Sequence, residues 1–318
     1  MSTIYLHIGA NKTGSSAIQA FLNSNRDVLD GYGFHVLDNV YDNAHYPLSY
    51  ALGCGPKLND INEQDELKKT LDEIEKNKDK KIIISSEYFI LENDPGKIAK
   101  YFSGHDVKVI VYLRRHDLWL ESLYNQAVKT APGIPWEVGI YSYINYIKSN
   151  KKQEISFKRL LMKWDRVFGK NNILVRPYER DGFLDGSIVS DFSISVGAPI
   201  IDSDKGVGGV VNKSIPVQYV PIVEVIKKVG RVNQRDLSKL VNWTLTRDPD
   251  PRFALLNDDQ RTLIISEYIE EYEFIASRYK AKNFQFFSDF SSGYGKKEVP
   301  RVNLLQSLKV LGELAGSI

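Results

Sequence analysis

A lysine, a threonine and two serines follow the first apolar run of the chain, at a turn that contains two glycines. The segment reads GANKTGSSAIQ over residues 9–19 and comes directly after TIYLHI at 3–8. Gly9 and Gly14 permit a tight turn in which several backbone N–H groups face one anion, and the following helix adds its positive end. An ATPase loop places its lysine after the second glycine, as G-x-x-x-x-G-K-[ST]. Because Lys12 comes two residues before Gly14, the segment predicts a phosphate cradle without the spacing of a nucleotide triphosphatase. The alternative is a purely structural turn between a strand and a helix.

A second group of polar residues follows a later apolar run. In YLRRHDLWLESLYNQ, residues 112–126, Arg114 stands at the end of a predicted strand and Ser122 lies in the first turns of the next helix. A guanidinium fork and a hydroxyl in this arrangement can bind one phosphate together. The alternative is that Arg114 and Arg115 pair with nearby carboxylates at the surface.

Two residues are candidates for a general base. Glu87, in IIISSEYF, comes directly after another predicted strand, and its alternative role is that of a helix-capping or surface glutamate. His45, in NAHYPLSYAL, is the second candidate because unperturbed imidazole titrates near neutrality. His7 lies inside the first strand-like run, which favours a buried position in the core over a catalytic role.

Five strand-like runs alternate with helix-like segments in the first part of the chain. This alternation predicts an α/β fold, namely a P-loop-like, doubly wound parallel sheet of about five strands, with a mostly helical C-terminal portion after about residue 215. Ligands of such sheets bind beyond the carboxyl ends of the strands, where the polar residues above fall. The runs are TIYLHI (3–8), FHVLD (34–38), KIIISS (81–86), VKVIVYL (107–113) and NILVRPY (172–178).

Composition narrows the class of protein. The 318 residues are 42% apolar and 26% charged, with a net charge of +2, which favours a globular protein with neither a nucleic acid nor a membrane surface as partner. Cys54 is the only cysteine, which suits a reducing cytosol. No apolar run approaches 18 residues. We therefore expect a cytoplasmic protein without an integral membrane segment, and the sequence shows no metal-ligand spacing.

Taken together, the two polar segments resemble the cofactor motifs of sulfotransferases that use 3′-phosphoadenosine 5′-phosphosulfate (PAPS). The segment WDRVFGKNNILVRPYER at 164–180 is similar to a later segment of bacterial carbohydrate members, and VNKSIP at 211–216 resembles a later N-x-S segment. The resemblance implies one sulfotransferase domain over 1–290 followed by a tail at 291–318. Within that domain, the cofactor-binding core is expected at about 1–180 and a helical acceptor or lid region at about 181–290.

The resemblance also implies roles for single residues. Lys12 would stabilise charge on the bridging oxygen as the sulfuryl group leaves, and Glu87 would be the base, because a similar S-S-E turn occurs in members that sulfate sugars. Arg114 and Ser122 would hold the 3′-phosphate. The remaining contacts with the nucleotide would come from the cradle and from a flap over it: Thr13, Gly14, Ser15 and Ser16 at the 5′-phosphate, and Asn212 and Ser214 in the flap.

The acceptor and two rival functions stay open at this point. The resemblance to carbohydrate members implies a small-molecule or glycan acceptor, with PAPS as co-substrate and no metal. One rival is a Mg²⁺-dependent nucleotide kinase or phosphotransferase of related fold, and the other is a nucleotide-binding module without catalysis. The helices beyond residue 215 could form an acceptor lid or the interface of a homo-oligomer.

Overall fold

The computed structural model describes most of the chain and groups it into two compact units. The first unit comprises Met1–Arg115, Glu154–Val210 and Ile269–Ser288, and the second comprises His116–Gln153, Val211–Tyr268 and Asp289–Ile318. The expected functional division near residue 180 stays a prediction. The described residues are 1–56, 61–92, 94–150, 155–179, 182–201, 213–230, 233–279 and 297–300.

A five-stranded parallel sheet forms the centre of the first unit, and its order along the sheet is β2-β3-β1-β4-β5. The central strand β1 pairs with β3 on one side and β4 on the other, so that Leu6 lies opposite Ile84 and Val109. The predicted parallel α/β sheet of about five strands is confirmed. Its strands are β1 (Thr3–His7), β2 (Phe34–Val36), β3 (Lys81–Ser85), β4 (Asp106–Leu113) and β5 (Ile173–Pro177).

Helices flank the sheet and make up most of the described chain after residue 215, as predicted. None of the described helices is long and apolar enough to cross a membrane. In chain order the helices are α1 (Ser15–Ser24), α2 (Arg26–Gly31), α3 (Tyr46–Ala51), α4 (Glu63–Lys76), α5 (Gly96–Tyr101), α6 (His116–Thr130), α7 (Ile140–Ser149), α8 (Phe157–Phe168), α9 (Ile188–Val196), α10 (Val220–Val229), α11 (Gln234–Leu245), α12 (Asp258–Ser266) and α13 (Ile269–Tyr279).

The apolar pattern of the strands explains why the sheet forms the core. Ile82, Ile83 and Ile84 follow one another in β3 and are all fully buried, as expected of a parallel strand that is covered on both faces. On one face of the sheet, Ile18 of α1 and Phe192 of α9 belong to the same buried apolar cluster. This packing holds α1 against α9.

A buried carboxylate joins three parts of the first unit. Asp191 of α9 accepts hydrogen bonds from the Tyr112 hydroxyl at 2.6 Å and from the Arg176 Nε at 3.0 Å. The backbone N–H of Leu184 donates to its second oxygen at 3.0 Å. These contacts link β4, β5 and α9 near the carboxyl ends of the strands.

The second unit contains α6, α7, α10, α11 and α12 and has a buried carboxylate of its own. Glu224 is fully buried and accepts hydrogen bonds from the Tyr124 hydroxyl at 2.6 Å, the Trp136 indole at 2.7 Å and the Gly139 N–H at 3.0 Å. These donors satisfy a polar group that would otherwise be costly to bury.

Replacement of Asp191 by asparagine should destabilise the protein by roughly 3 kcal/mol, because it leaves Arg176 without its buried ionic partner. The measurement is the urea midpoint of unfolding. Glu75→Gln is the control, since it breaks the exposed pair of Glu75 with Lys78 (2.5 Å) and should leave the midpoint unchanged. Equal midpoints for both variants would contradict a structural role for the buried pair.

Candidate active site

The loop between β1 and α1 is held against the end of β4 by backbone hydrogen bonds. Ile8 N–H donates to the Ile110 carbonyl at 3.0 Å, and Ala10 N–H donates to the Tyr112 carbonyl at 3.1 Å. In return, Tyr112 N–H donates to the Gly9 carbonyl at 2.8 Å. The parallel pairing of β1 and β4 therefore continues into the loop and fixes its first half.

Two side chains of the loop satisfy one of its own carbonyl groups. The Thr13 hydroxyl donates to the Ala10 carbonyl at 2.5 Å, and the Ser15 hydroxyl donates to the same oxygen at 3.2 Å. Thr13 and Ser15 are buried, whereas Ser16 is exposed. In this structure the first two hydroxyls shape the loop, and the Ser16 hydroxyl is the one most open to a ligand.

The backbone N–H groups at the turn into α1 are the candidate donors of this loop for an anion. Within the described residues, the N–H groups of residues 13–16 donate to no acceptor, whereas those of Ala17 and Ile18 donate to the Gly14 carbonyl at 3.0 and 3.2 Å. The first turn of α1 contains no acidic residue, and its N-cap, Gly14, has no side chain to cap it. Unpaired N–H groups at a helix N-terminus form a site for phosphate or sulfate.

Gly14 is required by both conformation and space. Its φ of +80° is in the left-handed region, and a Cβ there would lie 2.4 Å from Ile188 Cδ1 and 2.8 Å from Tyr178 Cε2. Lys12 also has a positive φ, of 65°. No other residue can replace Gly14 without strain. Lys12 lies in the same turn.

Arg114 lies against this loop, so the first unit brings together residues from both polar segments. Its Nη1 donates to the Lys12 carbonyl at 3.4 Å, and its guanidinium carbon is 5.5 Å from the centre of the Tyr178 ring. Tyr178 is in turn fixed by its N–H, which donates to the Leu113 carbonyl at 2.7 Å. The tyrosine ring thus contacts both the cradle and the arginine.

Three residues that the sequence predicts to bind the nucleotide lie in other parts of the chain. Ser122 lies in α6 of the second unit and is half-buried, and Ser214 is exposed in the same unit. Asn212 lies outside the described residues. The grouping of these three residues with the cradle stays a prediction.

Glu87 lies beside the cradle. It follows β3 by two residues, and a Cβ on Gly9 would lie only 3.1 Å from the Glu87 Cβ. Its Oε2 accepts a hydrogen bond from Gln19 Nε2 at 2.9 Å, and its Oε1 accepts one from the Tyr46 hydroxyl. The residue is half-buried, and its carboxylate is held by these two donors.

His45, the second candidate base, has a structural position instead. It is 1% exposed, and its Nε2 lies 3.0 Å from the Leu37 carbonyl, so this nitrogen must carry the proton. Its Nδ1 accepts the Ser85 N–H at 3.0 Å. Burial lowers the pKa of the imidazole to about 4. A neutral ring with a backbone partner on each nitrogen is poorly placed to accept a proton from a substrate.

His7 is fully buried, as expected. Its Nδ1 lies 2.8 Å from the Ser85 hydroxyl, and burial lowers the pKa of the ring to about 3. Among the described residues its Nε2 has no hydrogen-bond partner.

Three residues of the site were not identified from the sequence: Gln19, Tyr46 and Tyr178. Gln19 lies about one turn into α1 behind the cradle, and Tyr178 follows β5 at the sheet edge, so their positions relative to these elements were available signals. Tyr46 carries no comparable signal, because its partner Glu87 is 41 positions away. Within the described residues, no group of three His, Cys, Asp or Glu side chains is placed to hold a metal ion.

The chain is similar to known proteins over part of its length or at low sequence identity. No protein-family model matches the chain. An uncharacterised protein of Archaeoglobus fulgidus is 29% identical over 169 residues, which are 52% of this chain and 44% of that protein, so the match spans less than half the length of this relative.

Two solved structures are similar at low sequence identity. A sulfotransferase from Alicyclobacillus acidocaldarius is 10% identical with a TM-score of 0.49, covering 88% of this chain and 98% of that one. Mouse sulfotransferase SULT7A1 complexed with PAP is 11% identical with a TM-score of 0.40, covering 91% and 89%. At these values neither likeness identifies a substrate or a reaction for this chain.

The substitution Gly14→Ala should weaken the binding of inorganic pyrophosphate about 10-fold or more, because the new Cβ displaces the N–H groups that would bind it. Titration calorimetry measures the effect. Gly104→Ala is the matched control: Gly104 has a similar φ of +89° but no atom within 4 Å of an added Cβ. Both variants should lose about 1 kcal/mol of stability from backbone strain, and Gly14→Ala should lose more because its Cβ meets Ile188 and Tyr178. Only Gly14→Ala should lose affinity. Unchanged binding by Gly14→Ala would contradict the cradle.

The buried imidazole predicts a loss of stability in acid. The pKa of His45 is about 4 in the folded protein and about 6.5 in an unfolded chain, so the unfolded state binds the proton first. The contribution is complete above pH 6.5 and is lost as the pH falls towards 4, by roughly 3 kcal/mol. Urea unfolding at a series of pH values gives the free energy of unfolding as a function of pH. Between about pH 6.5 and 4 this free energy should fall less steeply in His45→Gln than in the wild type.

His35→Gln is the control of opposite sign. The hydrogen bond to Glu73 raises the pKa of His35, so its contribution is present at low pH and is lost as the pH rises through the folded pKa. The slope of the unfolding free energy against pH should change only above about pH 6.5, where His35→Gln removes a fall in stability with rising pH, and it should match the wild type between about pH 4 and 6.5. An unchanged slope in His45→Gln would mean that other groups govern stability in acid.

Proposed function

We propose that this protein transfers the sulfuryl group of PAPS to a hydroxyl of a carbohydrate or glycan acceptor. The observation that carries the proposal is the run of N–H groups at residues 13–16, which have no acceptor among the described residues and lie next to Lys12, Arg114 and Glu87. The N–H groups are donors for an anion, Lys12 and Arg114 add positive charge, and Glu87 adds a carboxylate beside the same loop.

The loop suits the 5′ end of the nucleotide better than a triphosphate. Lys12 stands inside the turn and precedes Gly14, whereas the lysine of an ATPase loop follows the second glycine and reaches the outer phosphates. We assign the 5′-phosphosulfate to the N–H groups of the cradle, the Ser16 hydroxyl and Lys12. Arg114, which lies against Lys12, would bind the second phosphate, at the 3′ position.

The reaction needs one bond to form and one to break. The acceptor oxygen attacks the sulfur while the bond between sulfur and the bridging phosphate oxygen breaks, and that oxygen leaves with the electron pair on 3′,5′-adenosine bisphosphate. Lys12 stabilises the negative charge that develops there. The proton of the acceptor hydroxyl passes to a carboxylate base.

Glu87 is the better base of the two candidates. It is half-buried beside Gly9, whereas both ring nitrogens of His45 are engaged by backbone groups. The assignment of the acceptor as a carbohydrate rests on the sequence resemblance to bacterial carbohydrate sulfotransferases.

Calorimetric titration with 3′,5′-adenosine bisphosphate should show binding without metal, and Arg114→Ala should weaken it about 10- to 100-fold, the loss expected for hydrogen bonds between a guanidinium and a phosphate. Arg166→Ala removes an exposed arginine of α8 and is the control that should bind normally.

Transfer of labelled sulfate from PAPS to a panel of sugars should proceed in EDTA. Preferential binding of ATP with Mg²⁺ would overturn the proposal in favour of a kinase, and binding without transfer to any acceptor would favour a module without catalysis.

A further inference from the structure

Both oxygens of the Glu87 carboxylate accept a hydrogen bond from another side chain. The donors are Gln19 Nε2, at 2.9 Å from Oε2, and the Tyr46 hydroxyl, which donates to Oε1. An ionised carboxylate has about four acceptor positions, so each oxygen keeps one lone pair for a further donor. The acceptor hydroxyl of a substrate can use one of these.

Tyr46 is fixed in place from both sides along the chain. The preceding residue, His45, exchanges hydrogen bonds with Ser85 at the end of β3: its N–H donates to the Ser85 carbonyl at 2.9 Å and its ring accepts the Ser85 N–H at 3.0 Å. Three residues after Tyr46, the Ser49 hydroxyl accepts a hydrogen bond from the Ser86 hydroxyl at 3.0 Å. The start of α3 is therefore attached to the segment that carries Glu87.

The aromatic ring of Tyr46 is restrained as well. It stacks on the ring of Tyr88, with 4.4 Å between the ring centres and 28° between the planes. Burial and the neighbouring Glu87 carboxylate raise the pKa of the Tyr46 phenol. The phenol thus keeps its proton across the working pH range and acts towards Glu87 as a donor.

We infer that Tyr46, assisted by Gln19, is the positioning residue that directs the Glu87 carboxylate for proton abstraction. The inference rests on the proposed function, in which Glu87 is the base. A donor to a carboxylate stabilises its charged form, and two donors on different oxygens also fix the rotation of the group. His45 acts through Tyr46. The ring of His45 contacts the Leu37 carbonyl and the Ser85 N–H, and these contacts hold the start of α3, where Tyr46 lies.

Tyr46→Phe tests the inference because it keeps the ring that stacks on Tyr88 and removes only the donor. We expect kcat to fall roughly 10- to 100-fold, as for the loss of a hydrogen bond to a charged group, with little change in the affinity for 3′,5′-adenosine bisphosphate. The acidic limb of the rate–pH profile should move up by about one pH unit or more, because the carboxylate has lost a stabilising donor. A purely structural role for Tyr46 would lower the rate without moving this limb.

Two comparisons complete the test. Tyr32→Phe removes the hydroxyl of a tyrosine that is 64% exposed in the same unit, and it should change neither the rate nor the profile. Glu87→Gln should abolish transfer, retain nucleotide binding, and be unaffected by the further change Tyr46→Phe. A profile of Tyr46→Phe that coincides with that of the wild type would overturn the inference and leave the proposed function standing.

A measurement that does not depend on turnover tests the role of Tyr46 separately from the proposed function. The Glu87 side-chain carboxyl can be labelled with ¹³C and titrated by NMR in the wild type and in Tyr46→Phe. A midpoint that moves to higher pH in the variant supports the hold of Tyr46 on Glu87, even if no acceptor is sulfated and the proposed function fails. An unchanged midpoint overturns the inference, whatever the protein transfers.

Discussion

The close approach of Gly9 to Glu87 is the contact on which the arrangement of the site depends. Gly9 has a φ of +104°, and a Cβ added there would lie 3.1 Å from the Glu87 Cβ and 3.2 Å from its Cα. A larger residue would push apart the loop that follows β1 and the turn that follows β3. The central position of β1 makes this contact possible, since Ser86 N–H donates to the His7 carbonyl at 3.1 Å and Tyr112 N–H to the Gly9 carbonyl at 2.8 Å.

The loop has more backbone donors than acceptors, and this imbalance suits the binding of an anion. The Ala10 carbonyl receives two hydroxyl donors from inside the loop, while the N–H groups at residues 13–16 receive no acceptor among the described residues. Unpaired polar groups are costly when water is excluded, so such a loop is stabilised when an anion binds. The sequence resemblance implies that the Ser15 hydroxyl contacts the 5′-phosphate, and the structure shows it bound to the Ala10 carbonyl.

The fold was largely predictable from the sequence, and the surroundings of Glu87 were not. The predicted strand at 81–86 is found at Lys81–Ser85, because an uninterrupted β-branched run has few alternatives to a doubly covered strand. The turn from β1 into α1 was predictable because its glycines, lysine and helix start are adjacent in sequence, and its role as a phosphate cradle stays a prediction. Tyr46 and Glu87 are 41 positions apart, and no local pattern indicates that contact.

His45 and Glu87, the two candidate bases, show that residue type alone does not predict the surroundings of a side chain. The prediction for His45 used the ordinary titration of imidazole, but burial favours the neutral ring and lowers its pKa to about 4. Its contacts with the Leu37 carbonyl and the Ser85 N–H suit a neutral ring that carries its proton on Nε2. Glu87 instead receives two side-chain donors and remains half-buried. The histidine thereby attaches the start of α3 to the end of β3, and this attachment places the tyrosine that contacts the carboxylate.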